Sequence, residues 1–325
     1  MENLLLLLLI VAGLVILVKS SDVLVYGATQ IAYKLKMSPL LVGLTIVAFG
    51  TSAPELAINL ISAFYWRTEL ALSNVLGSNI ANTLLILWAT ALIYPITIQK
   101  GLVQKEIPFN FIITVILALL TLDTLAWCPQ NVISRLDAGV LLSIFAIYFM
   151  YLLYQVLKKH KSDEVPPQAK LSVIQALGLI AIGVIWLTLG WRMIVKGASQ
   201  LALNLWIPPE VIGATIIAIG TSLPELAVSI TAALKKQADI ALGNVVGSNI
   251  FNILWILGLT WLVYPLPAYP LVEVDLAIAA AGSLLLLAFA FWIVKYKITR
   301  LEWATLLLLY VAYLVFLTMK VYHLS

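Results

Sequence analysis

Residues 43–60 read GLTIVAFGTSAPELAINL, and residues 213–230 read GATIIAIGTSLPELAVSI. A second pair of blocks follows at the same offset of 170: ALSNVLGSNIANTLLIL at 71–87 and ALGNVVGSNIFNILWIL at 241–257. Extended without a gap, residues 27–95 align with 197–265, and 34 of the 69 pairs are identical. Chance does not produce that, so one unit has been duplicated. Each copy sets a proline and a glutamate inside a run of otherwise apolar residues.

The surrounding chain explains what such a unit is for. It has 325 residues, 63% of them hydrophobic and only 10% charged, with a mean hydropathy of +1.07. A soluble domain is about 45–50% apolar and about 25% charged. A chain this apolar has too little polar surface to face water, so lipid must cover most of it. That argues against a cytoplasmic enzyme, a secreted disulfide scaffold and a nucleic-acid binder. The single cysteine, Cys128, rules out an internal disulfide. Only His160 and His323 are present, both outside the long apolar runs, which argues against zinc or histidine catalysis.

One membrane crossing takes about 20 mostly apolar residues. Ten segments qualify: 3–33, 39–66, 70–97, 104–123, 131–157, 171–204, 209–234, 238–264, 270–294 and 300–320. The first is expected to be a retained span, since it lacks a basic leader region and a small-residue cleavage motif. Thirteen Lys and Arg residues fall in loops on one side of these spans and three on the other. The richer side is cytoplasmic by the positive-inside rule, which puts both termini outside and the protein in the plasma (inner) membrane. The basic balance is thus a topology signal and calls for no nucleic acid.

The charged stretch KKHKSDEVPPQAK at 158–170 divides the chain. Residues 1–157 form a first five-helix repeat, 158–170 a cytoplasmic linker, and 171–325 a second repeat. Five is odd, so the second repeat crosses in the opposite sense. The expected fold is an all-α polytopic membrane protein of ten helices in two inverted repeats, with broken helices 2, 3, 7 and 8 forming a midplane site. That architecture favours a transporter over an enzyme.

Within the GTS-x-PE-L blocks, Pro54 and Pro224 remove a backbone donor, and Gly50 and Gly220 are expected to permit unwinding that frees carbonyl oxygens. Glu55 and Glu225 sit in the middle of apolar spans, where a charge costs a few kcal/mol or more and marks function by default. No Lys or Arg occurs in the core of spans two, three, seven or eight to pair with them. Ser78 and Asn82 are four residues apart, as are Ser248 and Asn252, so each pair is expected to share a helix face. Alone, such residues are interhelical glue. Beside two intramembrane carboxylates they read as ligands. Asn74, Asn79, Asn244 and Asn249 are left open as caps or braces. The full donor set, with the hydroxyls of Thr51, Ser52, Thr221 and Ser222, is all oxygen and suits hard cations such as Ca²⁺ and Na⁺. Two carboxylates are neutralised by one divalent or by two monovalent ions, which is the physical basis of exchange.

Asp22 and Arg192 occupy matched positions near Lys19 and Lys196, and mutual pairing or snorkelling accounts for them. Glu106, Asp123, Asp137, Glu273, Asp275 and Glu302 fall near span ends and need no special role. Trp66, Trp88, Trp206 and Trp261 fit an interfacial belt.

At these blocks the sequence resembles the sodium/calcium exchanger branch of the cation/Ca²⁺ antiporter superfamily, in the form of a compact prokaryotic member. The resemblance covers nearly the whole chain. It implies ten helices, with spans one and six sliding past a rigid core, and Na⁺/Ca²⁺ antiport by alternating access. It further implies Glu55 and Glu225 as central carboxylates, and Thr51 and Thr221 beside the Ca²⁺ position. Ser52, Ser222, Ser78 and Ser248 would line Na⁺ positions, with the carbonyls of Ala48 and Ala218 contributing. Many calcium-transporting relatives carry Asp where this chain has Asn252. No cofactor is expected, and the partners are Ca²⁺ and Na⁺ as substrates and the lipid bilayer, with no nucleic acid and no obligate protein partner. The competing expectations are coupling to H⁺, an intramembrane hydrolase and a channel.

Overall fold

A backbone in lipid must satisfy its own hydrogen bonds, and helix is the simplest way to do so. The computed structural model describes residues 2–64, 69–94, 101–122, 132–158, 169–207, 218–267, 272–293 and 300–324. The helices in order are α1 (Glu2–Leu35), α2 (Pro39–Thr51), α3 (Ala53–Phe64), α4 (Ala71–Ile93), α5 (Leu102–Thr121), α6 (Arg135–Leu157), α7 (Val173–Asn204), α8 (Ala218–Thr221), α9 (Leu223–Leu234), α10 (Ala238–Val263), α11 (Val272–Phe291) and α12 (Arg300–Leu324). Two short strands, β1 (Val132–Ile133) and β2 (Leu266–Pro267), pair antiparallel with Val132 opposite Pro267.

Among the described residues, seven helices are long and apolar enough to cross a bilayer, and α2 with α3, bent by 43°, makes an eighth span. The expected seventh span is described only from Ala218 onward, as α8 and α9, and the expected tenth contains a shorter apolar helix, Ala304–Met319. The outer ends of several expected spans (65–66, 95–97, 123, 131, 270–271 and 294) lie outside the described residues, as do most of the 158–170 linker, Trp66, Asp123, Cys128 and His160.

The interruptions differ from the expected pattern. The bends fall at Ser52 (φ −83°, ψ 4°) and Ser222 (φ −88°, ψ 2°). Each serine lies two residues before a proline that has no N–H to give the fourth carbonyl back, that of Gly50 or Gly220. The glycines themselves stay helical, and no described glycine has positive φ. Their role is space: a Cβ on Gly50 would lie 2.8 Å from Val184 Cγ2, and one on Gly220 2.6 Å from Val195 Cγ2, both on α7. Among the described residues the expected breaks in spans three and eight are absent. α4 and α10 run through, each carrying a π-helical turn, Asn82–Ile86 and Asn252–Leu257. Such a turn inserts a residue without ending the ladder, and is frequent at functional sites.

Packing sorts the helices into a core and a periphery. The apolar window of α10 is 94% buried and that of α1 only 22%. α1 and α7 lie antiparallel: Gly13 meets Gly190, Leu24 meets Gly183, and Ile10 meets Gly197. The small residues Gly13, Ser20 and Gly27, and their repeat mates Gly183, Gly190 and Gly197, recur every seven positions. The two backbones therefore approach closely along one smooth seam. A second close approach positions the site. A Cβ on Gly243 would lie 2.6 Å from the Leu40 carbonyl oxygen and 2.9 Å from Gly43 Cα, and one on Gly247 would lie 2.8 Å from Ala48 Cβ. α2 of the first repeat is thus pressed onto α10 of the second.

Three peripheral expectations are corrected. Asp22 pairs with Lys235, 3.0 Å away, and not with Lys19, Arg192 or Lys196, which are exposed. Glu106 and Asp275 are buried at 4% exposure, and each accepts a tyrosine hydroxyl at 2.9 Å, from Tyr148 and Tyr313 respectively. A carboxylate that close to the bilayer interior needs a donor, and the neighbouring span supplies it in both repeats. Trp261 is 0% exposed and belongs to the core rather than to an interfacial belt.

Candidate cation site between the repeats

Glu55 occupies the first turn of α3 and Glu225 the first turn of α9, where the positive end of the helix dipole favours a carboxylate. Both are buried, at 0% and 1% exposure. Ser52, three residues before Glu55, reaches Glu225, so the two glutamates enter the same region between the repeats. Ser52 closes the link between repeats by donating its hydroxyl to Glu225 Oε1 at 3.2 Å. Lys235 is paired with Asp22, and among the described residues neither glutamate is locked to a basic neighbour.

The hydroxyls and amides around them also reach across. Thr51 Oγ1 donates to Asn244 Oδ1 at 2.9 Å and lies 3.4 Å from Ser248 Oγ. Ser78 Oγ lies 3.2 Å from Thr221 Oγ1. Asn82 Nδ2 donates to Asn249 Oδ1, and Asn252 Nδ2 donates to Asn79 Oδ1, both at 3.0 Å. Ser78 and Asn82 therefore both turn toward the second repeat, as their four-residue spacing suggested. The Ala48 carbonyl accepts the Ser52 N–H at 3.0 Å and lies 3.3 Å from Thr51 Oγ1, whose proton goes to Asn244, whereas Ser222 N–H goes to Ile219 rather than to Ala218.

What remains after these bonds is an unusual residue of acceptors. Both oxygens of Glu55, Oε2 of Glu225, Oδ1 of Asn82, Oδ1 of Asn252 and Oγ of Ser222 are buried without a hydrogen-bond partner among the described residues. Buried polar atoms are nearly always paired, and each exception needs a reason. A hard cation would supply that reason: Ca²⁺, for example, takes six to eight oxygen ligands and no donors. Among the described residues no three His, Cys, Asp or Glu side chains come together. The set is thus two carboxylates supplemented by neutral oxygens.

Asn74 and Asn244, which the sequence leaves open as caps or braces, act as braces, with Asn59 and Ser229 as partners. Asn244 accepts from Thr51 and donates to Ser229 Oγ at 3.0 Å and to the Glu225 carbonyl at 3.3 Å. Asn74 donates to Asn59 Oδ1 at 3.0 Å. Asn74 and Asn244 are identical across the repeat, a signal present in the alignment. The Asn59 and Ser229 pair is not identical, and nothing in the sequence marks it.

Residues 5–154 and 175–319 match the family model described as sodium/calcium exchanger protein. The chain belongs to the sodium/calcium exchanger family. Its similarity to individual members is spread over nearly the full length. It is 35% identical over 315 residues to the putative antiporter CaxA of Alkalimonas amylolytica, covering 94% of this chain and 96% of that protein. It is 34% identical over 346 residues to the sodium/calcium exchanger MaX1 of Methanosarcina acetivorans, covering 95% and 97%. The structure of the sodium-calcium exchanger NCX_Mj soaked with Na⁺ and Ca²⁺ superposes with a TM-score of 0.80 at 34% identity, covering 95% and 97%. This member of the family is accordingly a multi-pass membrane protein and a cation/Ca²⁺ antiporter, and its relatives are transporters rather than enzymes.

Proposed function

We propose that the protein exchanges Na⁺ for Ca²⁺ by alternating access, with Glu55 and Glu225 as the charged ligands. Thr51, Thr221, Ser52, Ser222, Ser78, Ser248, Asn82, Asn252 and the carbonyls of Ala48 and Ala218 complete the ion positions. The observation that carries this reading is the set of buried oxygens at and around two carboxylates that, among the described residues, have neither hydrogen-bond donors nor a basic partner. One Ca²⁺ or two Na⁺ neutralise the pair. With neither bound, two like charges would face each other in a site screened from water, and moving that state across lipid is prohibitive. The protein therefore reorients only when loaded, which couples the two ions. The long seam between α1 and α7, lined by glycine on both sides, is suited to sliding past the rigid core formed by α4, α10 and their neighbours. The protein is assigned to the plasma membrane with both termini extracytoplasmic, from the Lys and Arg balance of its loops.

Purified protein in liposomes loaded with Na⁺ should take up ⁴⁵Ca²⁺ when diluted into Na⁺-free medium. Uptake should fail when K⁺ replaces internal Na⁺, or when a proton gradient alone is imposed. Uptake driven by the proton gradient would replace Na⁺ with H⁺ as the coupling ion. Ca²⁺ flux without any counter-ion would make the protein a channel.

A further inference from the structure

An asparagine amide has one useful face for a cation, its oxygen, and one harmful face, its NH2. Asn82 and Asn252 are two such amides, and in each the nitrogen is already committed to the opposite repeat. Asn82 Nδ2 donates to Asn249 Oδ1 at 3.0 Å, and Asn252 Nδ2 donates to Asn79 Oδ1 at 3.0 Å. The receiving amides are themselves fixed. Asn249 Nδ2 donates to Thr83 Oγ1 at 2.9 Å, and Asn79 Nδ2 donates to the Asn249 carbonyl at 3.3 Å. Turning any one of them over would set nitrogen against nitrogen or oxygen against oxygen. All four residues are 0–5% exposed, so bulk water does not compensate for a wrong orientation. The oxygens of Asn82 and Asn252 are the atoms left without a donor.

We propose that Asn79 and Asn249 are positioning residues that clasp the ligand amide of the opposite repeat, holding its oxygen toward the cation and its NH2 away. Each half of the molecule thereby sets a ligand belonging to the other half. Neither clasp residue touches the ion. The two clasps are unequal, because the repeat mate of Thr83 is Ile253. Asn79 therefore has no side-chain acceptor at the matching position and uses a backbone carbonyl at the longer distance of 3.3 Å. This inference rests on the assignment of Asn82 and Asn252 as ion ligands.

The test is a double-mutant cycle on the Ca²⁺ KM of Na⁺-driven uptake in proteoliposomes, using Asn79→Ala, Asn252→Asp and the double variant. Loss of an outer-shell partner typically costs a metal site roughly 10–100-fold in affinity, so Asn79→Ala should raise the KM by at least about tenfold while the maximal rate falls less. A carboxylate has oxygen on both faces and no wrong orientation. In the Asn252→Asp background the same Asn79→Ala change should therefore cost no more than about twofold, the usual error of additivity. A residue needed only for packing would cost the same in both backgrounds, and that result, or an unchanged KM in Asn79→Ala, overturns the proposal. The cycle of Asn249→Ala with Asn82→Asp provides a second, independent decision should Asn79→Ala not fold. If the unaltered protein shows no Na⁺-driven uptake, the exchange reading itself has failed. The clasp is then judged by calorimetric titration of the same proteins with CaCl2, where an equal loss of Ca²⁺ affinity in both backgrounds overturns it.

Discussion

Ser52 donates its hydroxyl to Glu225 across the repeat boundary at 3.2 Å, while the matching hydroxyl of Ser222 has no partner among the described residues. The two-fold relation between the halves is thus broken at the point where the carboxylates meet. A hydrogen bond to a charged group is worth about 1.5–3 kcal/mol. Ser52→Ala should lower the thermal unfolding midpoint in detergent measurably more than Ser222→Ala does. Equal shifts would mean that the Ser52 bond contributes nothing to this conformation.

The Asp22–Lys235 bridge, in contrast, is half-exposed at 45% and 38%, and joins α1 to the turn after α9. Exposed pairs typically contribute about 0–1 kcal/mol. Asp22→Asn should therefore leave the unfolding midpoint nearly unchanged at 150 mM salt. A large loss would show that the bridge is desolvated within the membrane interface.

The fold was legible in the sequence because its decisive features are compositional and repeated. The duplicated GTS-x-PE-L block, its two carboxylates and the polar faces of spans three and eight all follow from 3.6-residue periodicity and an offset of 170. What escaped was the register between helices. Whether an asparagine caps its own helix or clasps the other repeat depends on which backbone lies opposite. Here that is decided by contacts such as Gly43 against Gly243, which no periodicity encodes. The π turns escaped for a similar reason: Asn82–Ile86 and Asn252–Leu257 read as ordinary apolar helix, and only packing selects the wider turn. Glu106 and Asp275 sit near span ends as expected, but their burial depends on tyrosines 42 and 38 residues away.

That tyrosine brace carries its own consequence. Tyr148→Phe removes the hydroxyl that donates to Glu106 Oε2 at 2.9 Å and leaves the ring stacked on Phe109, with centroids 4.8 Å apart. A buried carboxylate deprived of a donor costs about 1–3 kcal/mol or more. The variant should unfold at lower temperature yet keep the Ca²⁺ KM of the unaltered protein, because the brace lies outside the cation site. A changed KM with unchanged stability would instead tie the α5–α6 pair to ion binding.

The last prediction separates ion binding from transport. A ligand that binds only the folded state stabilises it by RT ln(1 + [L]/Kd), which is about 2.7 kcal/mol at a hundredfold excess over Kd. Ca²⁺ should therefore raise the unfolding midpoint of the unaltered protein, and Na⁺ should do so at much higher concentration, since each monovalent ion cancels only half of the paired charge. Glu55→Gln or Glu225→Gln halves the charge of the site and should abolish Na⁺-driven Ca²⁺ uptake. The double variant has no charged ligand left, because among the described residues no third acidic side chain joins the pair. It should lose the Ca²⁺-dependent stabilisation as well, while its midpoint without ions stays level or rises, since two repelling carboxylates have been removed. Retention of Ca²⁺ stabilisation by the double variant would place the ion elsewhere in the molecule.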